Sequence, residues 1–297
     1  MGETHLNKRE HRYEVNSSRD SITGNMLGLT VIELCITELC TRKCSFCPRS
    51  DSDVYPNRKL FMSVETADIL SKSCAKNNFE GDFHISGFGE SMTSKHVYDI
   101  IAAIRQNLPE NRIAMTSNAD LMNVKKINRL VECGLNHIII SCYDGPEAYL
   151  KIEKMLKESD IMSYDIRELW ADPGETTQQM MERNNFNNRS GAVDIPEWKR
   201  VYNMHKQCYL PSYKLVVDWD GSVIICCNDW LRRESKLGNV NTEDLKSIWL
   251  SDKFKEIRET LARGDRGSLP ACKYCNIEGT LVGKKSAALH VKSIKDT

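Results

Sequence analysis

Cys40-Thr-Arg-Lys-Cys44-Ser-Phe-Cys47 is a C-x3-C-x2-C run near the start of this 297-residue sequence. Three thiolates at this spacing can bind three irons of a cubane cluster and leave the fourth iron open to another molecule. A structural zinc site is the alternative, but it needs four ligands, usually in pairs, and no fourth ligand lies nearby. The run therefore favours a reactive [4Fe–4S] cluster.

The bulk composition excludes several classes of protein. Lys+Arg and Asp+Glu are both 41, so the zero net charge gives no support to nucleic acid as the main ligand. The sequence has no apolar run long enough to cross a membrane, and residues 1–20 lack the apolar core of a signal peptide. We expect a cytoplasmic protein whose 12 cysteines are reduced, so that those in clusters indicate metal binding rather than disulfide formation.

Strands and helices alternate through the first part of the chain. Hydrophobic patterns predict strands at 29–35, 83–86, 112–116, 137–141 and 162–169, and helices starting at Ser63 and over 97–108, 124–131 and 147–158. Such alternation is typical of βαβ units, so we predict an α/β fold with a parallel sheet.

The pattern changes after Trp170. Residues 171–194 are polar and predict a long loop, Asp220-Gly221 predicts a hairpin, and 243–262 predict one helix. We therefore divide the chain into a polar leader (1–27), a first domain (28–190), a small C-terminal domain of hairpin plus helix (191–285) and a tail (286–297).

A second group of cysteines lies in the C-terminal part of the chain, namely Cys208, Cys226, Cys272 and Cys275. Four thiolates suit either zinc or a fully ligated [4Fe–4S] cluster, and their spacing alone does not separate the two. Side chains alternate along a strand, so only one of Cys226 and Cys227 should face the other three cysteines. We predict Cys226 as the ligand, which leaves Cys227 as a buried residue or as a thiol near the substrate.

The C-x3-C-x2-C run with Phe46 before its last cysteine resembles the signature of the radical SAM superfamily. The resemblance implies a partial (β/α)6 TIM-like barrel in which the cluster on Cys40, Cys44 and Cys47 binds S-adenosylmethionine. It also implies reductive cleavage of that cofactor to a radical that abstracts a hydrogen atom from a substrate.

Polar and small residues at predicted strand ends resemble the cofactor-binding positions of this family. Ser86-Gly87-Phe88-Gly89-Glu90 is similar to its G-G-E motif, in which the resemblance implies that the glycines admit the methionyl part and that Glu90 pairs with its ammonium. Asn118 matches a T-N-G segment whose glycine is Ala119 here, and Ser141 matches a ribose-contacting position. All lie where barrel enzymes place their sites.

The pattern C…G-x4-C…C-x2-C over residues 208–275 resembles the SPASM/twitch extension of radical SAM enzymes. Because no cysteine follows Cys275, the resemblance implies the shorter twitch form, with one auxiliary [4Fe–4S] cluster on Cys208, Cys226, Cys272 and Cys275. Arg189, in an Asn-rich segment between the two parts, is suited to bind polar substrate oxygens. This layout is similar to that of radical SAM enzymes that oxidise cyclitols.

These features favour an oxidoreductase that converts a carbinol of a small polyhydroxylated substrate into a ketone, with electrons from a flavodoxin or ferredoxin. One alternative is an epimerase in which Cys227 returns a hydrogen atom. Another is a maturase of a ribosomal peptide, which the short N-terminus disfavours. A zinc protein without enzymatic activity is the remaining class.

Overall fold

The computed structural model describes residues 26–184, 186–194, 204–233 and 237–295. The predicted leader lies outside these ranges except for its last two residues. No described helix is long and apolar enough to span a bilayer.

Eight strands form one sheet in the order β5-β4-β3-β2-β1-β6-β7-β8. The strands are β1 Val31–Leu34, β2 Asp82–Ile85, β3 Ile113–Ser117, β4 His137–Cys142, β5 Tyr164–Glu168, β6 Lys214–Val217, β7 Ser222–Ile224 and β8 Gly238–Asn239. Pairing is parallel from β5 through β1 to β6, and antiparallel from β6 to β8. The predicted α/β class with a parallel sheet is confirmed.

Helices alternate with the strands as far as β5. The helices are α1 Val64–Lys76, α2 Val97–Asn107, α3 Val124–Glu132, α4 Pro146–Lys157, α5 Thr177–Arg183, α6 Leu210–Tyr213, α7 Leu245–Trp249, α8 Asp252–Ala262 and α9 Lys284–Lys295. Ser63 begins α1 as predicted, because its hydroxyl accepts a hydrogen bond from the Thr66 backbone at 3.1 Å. The apolar stripes of α1 and α2 pack against each other beside the sheet and form part of the core.

The predicted hairpin forms, but its first strand belongs to the main sheet. β6 pairs in parallel with β1, with Val31 opposite Lys214. The Lys214 ammonium and the Glu33 carboxylate are 2.7 Å apart and both side chains are almost fully buried. One of the six parallel strands, β6, is therefore a strand that we assigned from sequence to the C-terminal domain. No local signal predicts its pairing with β1, since the paired residues are 183 positions apart.

Three local predictions were wrong. The stretch 171–194 contains helix α5, which starts with a capping box between Thr176 and Gln179. The predicted helix 243–262 is two helices, since Ser251 is extended and caps α8 by accepting from the Phe254 backbone at 3.3 Å. The predicted tail forms α9, which packs against α6 and α8.

Candidate active site

A pocket of about 420 Å³ opens at the carboxyl ends of the parallel strands. The C-x3-C-x2-C run follows β1, the Gly87–Glu90 segment follows β2, and Asn118 follows β3. The residues predicted at this site all line the pocket: Cys40, Cys44, Phe46, Cys47, Gly87, Gly89, Glu90, Asn118, Ser141, Arg189 and Cys227. The carboxyl end of such a sheet is where a (β/α) fold forms its site.

The three cysteines of the run lie close together and face the pocket. The Cys47 backbone donates to the Cys44 carbonyl at 3.0 Å, which folds the run into a turn. Burial, together with the charges of Cys47 and Cys40, raises the pKa of Cys44 to about 11. Thiolates that destabilise one another in this way need a nearby positive group, as a metal cluster provides.

Asn57 and Arg42 hold the run against the rest of the sheet. The Asn57 amide accepts from the Cys40 N–H and donates to the Cys40 carbonyl, both at 2.9 Å. The Arg42 guanidinium binds the carboxylate of Asp120 beyond β3 and, at 2.9 and 2.6 Å, that of Asp144 beyond β4. Hydrogen bonding to Arg42 holds the pKa of Asp144 below its usual range.

Glu90 is buried and fully oriented. Its two oxygens accept from the Ser117 hydroxyl and the Asn118 N–H, each at 2.7 Å, and from the Met92 N–H at 3.1 Å. Burial raises its pKa, whereas these hydrogen bonds oppose the shift. A fixed, desolvated carboxylate of this kind suits a cationic partner such as an ammonium group.

Gly87 and Gly89 have a packing reason to be glycines. Gly87 has φ +106°, and a Cβ there would lie 2.3 Å from the Cys35 sulfur. A Cβ on Gly89 would lie 2.5 Å from the Thr37 carbonyl oxygen and 2.7 Å from that of Leu39. The close approach seen here is between the Glu90 segment and the chain that leads into the cysteine run.

Asn118 and Ala119 form the turn after β3. The Asn118 amide nitrogen donates to the Thr41 hydroxyl at 2.9 Å, and its oxygen accepts from the Asp120 N–H at 3.0 Å. Ala119 has φ +66°, a left-handed conformation that normally favours glycine. The position where the resemblance led us to expect glycine thus keeps the backbone conformation of a glycine.

Phe46 and Ser141 lie on the side of the pocket nearest β4. The Phe46 ring stacks on Phe186 at 4.5 Å between centroids and lies 5.6 Å from the Tyr143 ring. Ser141 is buried and hydrogen-bonds to the Tyr143 side chain. The segment after α5 therefore closes this side of the pocket with aromatic rings.

The four C-terminal cysteines also come together. Burial raises the pKa of Cys226, and the nearby charges of Cys227, Cys272 and Cys275 add to the effect. Burial likewise raises the pKa of Cys208 to about 11, a shift that the charge of Arg266 opposes and that of Cys275 increases. A group of buried thiols next to an arginine suits an anionic metal–thiolate centre.

Neither group of cysteines has the spacing of a single-ion site. Over the described ranges, no set of three or more His, Cys, Asp or Glu side chains is arranged to hold one metal ion. A cubane makes a different demand, since each of its cysteines binds a different iron at a separate corner. Gly279 lies against the second group of cysteines. A Cβ at this position would clash with the Cys208 sulfur at 2.4 Å, so glycine leaves space beside that sulfur.

Cys226 and Cys227 have different surroundings. Cys226 lies near Cys272 and Cys275, whereas Cys227, although it lies near Cys208 and Cys226, also lines the pocket and packs against the apolar cluster that contains Phe88 and Trp230. Cys227 therefore lies between the two groups of cysteines.

Arg189 lies in the strained turn that joins the two parts of the chain. Arg189 and Ser190 have φ +48° and +56°, and the Arg189 guanidinium donates to the Asn228 amide oxygen at 3.4 Å. The neighbouring Asn188 exchanges hydrogen bonds with Asn276 at 2.9 and 3.3 Å, one residue after Cys275. The guanidinium is also close enough to Cys47 to lower the pKa of that thiol, against the larger effect of burial.

Sequence reasoning missed Arg232, which connects the hairpin of β6 and β7 to the chain that leads into the cysteine run. Its guanidinium donates to Glu38 at 2.6 Å and to Asp218 at 2.9 Å, and lies 4.1 Å over the Phe88 ring. Nothing in its local sequence predicts these contacts, because its partners precede it by 14 to 194 residues.

Two family models match this chain. Residues 34–162 match the radical SAM superfamily, and residues 208–276 match SPASM, an iron–sulfur cluster-binding domain. The chain belongs to the radical SAM superfamily and is an enzyme of that class, with a C-terminal SPASM region. Its cofactors are S-adenosylmethionine, the [4Fe–4S] cluster that binds it, and an auxiliary iron–sulfur centre in the SPASM region.

One enzyme and two crystal structures are similar to this chain over most of its length. The chain is 26% identical over 251 residues to S-adenosyl-L-methionine-dependent 2-deoxy-scyllo-inosamine dehydrogenase from Niallia circulans, a match that covers 83% of this chain and 92% of the relative. The crystal structure of BtrN in complex with AdoMet and 2-DOIA matches with TM-score 0.70 and 22% identity, over 86% of this chain and 96% of BtrN. An open conformation of BtrN matches with TM-score 0.60 and 20% identity over 87% and 96%. The structural likeness shows a shared fold.

Proposed function

We propose that this enzyme oxidises a secondary alcohol of an aminocyclitol or related polyhydroxylated molecule to a ketone. The observation that carries the proposal is that one pocket is lined by the three-cysteine run and also by Arg189 and Cys227, beside the second cysteine group. The similarity to 2-deoxy-scyllo-inosamine dehydrogenase over most of both chains supports the substrate class.

We assign Cys40, Cys44 and Cys47 to the cluster that binds S-adenosylmethionine, and Cys208, Cys226, Cys272 and Cys275 to one auxiliary [4Fe–4S] cluster. When bound, these groups supply a radical that takes a hydrogen atom from the carbinol carbon and an acceptor for the second electron, while the hydroxyl proton leaves to a base. One hydrogen atom, one proton and one electron are thus removed, which balances the conversion of alcohol to ketone.

In this scheme the chain's own residues bind and orient the cofactor. Glu90, fixed by Ser117 and Asn118, accepts the ammonium of the cofactor. Phe46 offers an apolar surface beside it, with Ser141 at the neighbouring strand end. Gly87 and Gly89 let the Glu90 segment lie close to the cysteine run.

Arg189 is the substrate-binding residue in this proposal. Its guanidinium lines the pocket between the two groups of cysteines, and its contact with Asn228 is long at 3.4 Å. A planar guanidinium in this place can donate to adjacent hydroxyl oxygens of a cyclitol and fix which carbinol carbon is presented.

An epimerase is the second candidate, since Cys227 lines the pocket. In an epimerase, the Cys227 thiol returns a hydrogen atom to the opposite face of the substrate. Cys227→Ala would then stop turnover while hydrogen abstraction continues. Undiminished formation of ketone by Cys227→Ala supports the dehydrogenase and removes the epimerase.

The dehydrogenase is tested by product analysis under anaerobic conditions. Enzyme, S-adenosylmethionine, reduced flavodoxin or ferredoxin and 2-deoxy-scyllo-inosamine are incubated, and products are trapped with a carbonyl reagent. One ketone per 5′-deoxyadenosine is expected, whereas a product that remains an alcohol would contradict the proposal. We also propose that the enzyme receives electrons from a flavodoxin or ferredoxin and works in a reducing cytoplasm, because both clusters need reduced thiols.

A further inference from the structure

Arg266 is a buried cation whose donors are only partly used. The side chain is 1% exposed, Nη1 donates to the Ile277 carbonyl at 2.9 Å, and Nη2 donates to the Gln207 carbonyl at 2.6 Å. Its Nε, also buried, has no hydrogen-bond partner in the described part of the chain. Carbonyl groups satisfy donors, but they do not neutralise a charge.

No carboxylate within the described ranges lies at ion-pair distance from this guanidinium. Glu278 is the acidic group whose pKa Arg266 lowers slightly, but its own oxygens are taken by Lys206 at 3.3 Å and Thr280 at 2.9 Å. A buried charge without a counter-charge costs several kcal/mol. The position of Arg266 therefore requires an anionic neighbour of another kind.

The cysteine group is that neighbour. A Cβ on Gly279 would lie 2.6 Å from Arg266 Nη2 and 2.4 Å from the Cys208 sulfur, so both atoms pack against the same glycine. The Gln207 carbonyl that Arg266 binds directly precedes Cys208, and the Ile277 carbonyl lies two residues after Cys275. The guanidinium thus lies beside both chain segments that carry the proposed ligands.

An all-cysteine [4Fe–4S] cluster is anionic, and its negative charge grows when it accepts an electron. A fixed positive charge in a dry environment stabilises the reduced form more than the oxidised form. Buried Asp229, whose carboxylate accepts from the Arg233 N–H at 2.9 Å, faces Cys272 and acts in the opposite sense.

We propose that Arg266 is a positioning residue for the auxiliary cluster that raises its reduction potential and so lets it accept the substrate's second electron. The inference rests on the auxiliary cluster of the proposed function and adds a residue that sets its electron affinity. A purely structural role is the competing explanation, in which Arg266 only ties the Gln207 and Ile277 segments together. That role predicts loss of cluster without any change in the potential of the clusters that remain.

The test is a redox titration of the full-length chain with Cys40, Cys44 and Cys47 replaced by Ala, so that only the auxiliary cluster is loaded. Arg266→Gln removes the positive charge, and Arg266→Lys keeps the charge but replaces the planar guanidinium with an ammonium group. The control is Arg258→Gln, because Arg258 is also buried and has an unpartnered Nη2, but lies 3.8 Å over the Trp249 ring. The readout is the reduced cluster's EPR signal against potential, normalised to iron content.

At the parental midpoint potential we expect Arg266→Gln to lower the ratio of reduced to oxidised cluster about tenfold, which equals 59 mV for one electron. Arg266→Lys and Arg258→Gln should keep the parental midpoint. A loaded Arg266→Gln with an unchanged midpoint would overturn the proposal. If Arg266→Gln does not assemble a cluster, Arg266→Met, which also removes the charge but keeps an unbranched side chain, is titrated in its place, since a tenfold fall there would support the proposal and an unchanged midpoint would overturn it. No substrate is used, so failure of the dehydrogenase proposal would leave this result standing.

Discussion

Arg232 and Glu38 form an ion pair of 2.6 Å that connects the C-terminal region to the chain leading into the cysteine run. The same guanidinium binds Asp218 at 2.9 Å, and Tyr55 donates to Glu38 at 2.7 Å. Burial raises the pKa of Asp218 although the charge of Arg232 opposes the shift. The two carboxylates therefore depend on one arginine for their charge balance.

Replacing Arg232 should destabilise the protein strongly. Arg232→Ala leaves Glu38 and Asp218 buried with no cation beside them, and we expect a loss of about 3 kcal/mol in the free energy of unfolding. Arg232→Lys should lose less, because it keeps the charge. Urea unfolding of the three proteins measures the difference, and a loss below about 1 kcal/mol for Arg232→Ala would show that solvent already screens the pair.

Ala119→Gly should be neutral or mildly stabilising, unlike most changes of Ala to Gly. The left-handed conformation at φ +66° costs a non-glycine residue about 1–2 kcal/mol, which exceeds the entropic cost of glycine of about 0.5–1 kcal/mol. Ala114→Gly in β3 is the matched control and should destabilise. Thermal unfolding compares the two, and an equal loss in both variants would contradict the strain at Ala119.

Acidification should destabilise the fold through His290. Burial, aided by the charge of Arg258, lowers the pKa of His290 to about 3, and its Nε2 pairs with the Ser212 carbonyl at 3.1 Å. Between pH 6.5 and 3 the unfolded chain binds a proton that the folded chain excludes, so stability falls as pH falls. At pH 5 this amounts to about 2 kcal/mol.

The measurement is the free energy of unfolding at pH 7.5 and pH 5.0 for the wild type and His290→Gln. The variant should lose less stability on acidification than the wild type does. An identical pH dependence in both proteins would assign the effect to other groups.

Gly89→Ala should impair cofactor binding. Its Cβ would meet the Thr37 and Leu39 carbonyl oxygens at 2.5 and 2.7 Å, and the backbone must move Glu90 to relieve the clash. We expect affinity for S-adenosylmethionine to fall at least tenfold, or about 1.4 kcal/mol. Gly267→Ala, with no atom nearer than 3.9 Å, is the control in equilibrium binding. Equal affinity in both variants would place Glu90 outside the cofactor site.

Iron content should separate the two cysteine groups. Replacing Cys40, Cys44 and Cys47 by Ala should lower the iron from about eight to about four per chain and abolish cleavage of S-adenosylmethionine. Replacing Cys226 and Cys272 should remove a similar amount of iron but leave cleavage intact. Zinc without iron in the wild type would contradict both assignments.

The sequence predicted what is encoded locally. The strand ends that carry Glu90, Asn118 and Ser141 follow clear apolar runs. Ser63 predicts the start of its helix because its side chain caps the first turn. The placement of β6 beside β1 and the contacts of Arg232 could not be predicted, because their partners are far apart in the chain. Helix α9, which lies in the stretch expected to be a tail, packs against α6 and α8, and these partners are distant enough in the chain to leave no signal in its own sequence.

Arg266 shows the same limit at the candidate site. The C-x2-C spacing of Cys272 and Cys275 identifies ligands from sequence alone, whereas the buried charge beside them is visible only once the Gln207 and Ile277 segments meet.

The most direct test of the proposed dehydrogenase is the transfer of deuterium from the substrate to 5′-deoxyadenosine. Anaerobic enzyme is incubated with S-adenosylmethionine, reductant and 2-deoxy-scyllo-inosamine deuterated in turn at each carbinol carbon. We expect deuterium in 5′-deoxyadenosine from one position only, together with a ketone at that carbon. Unlabelled 5′-deoxyadenosine from every substrate, or label without a ketone, would contradict it.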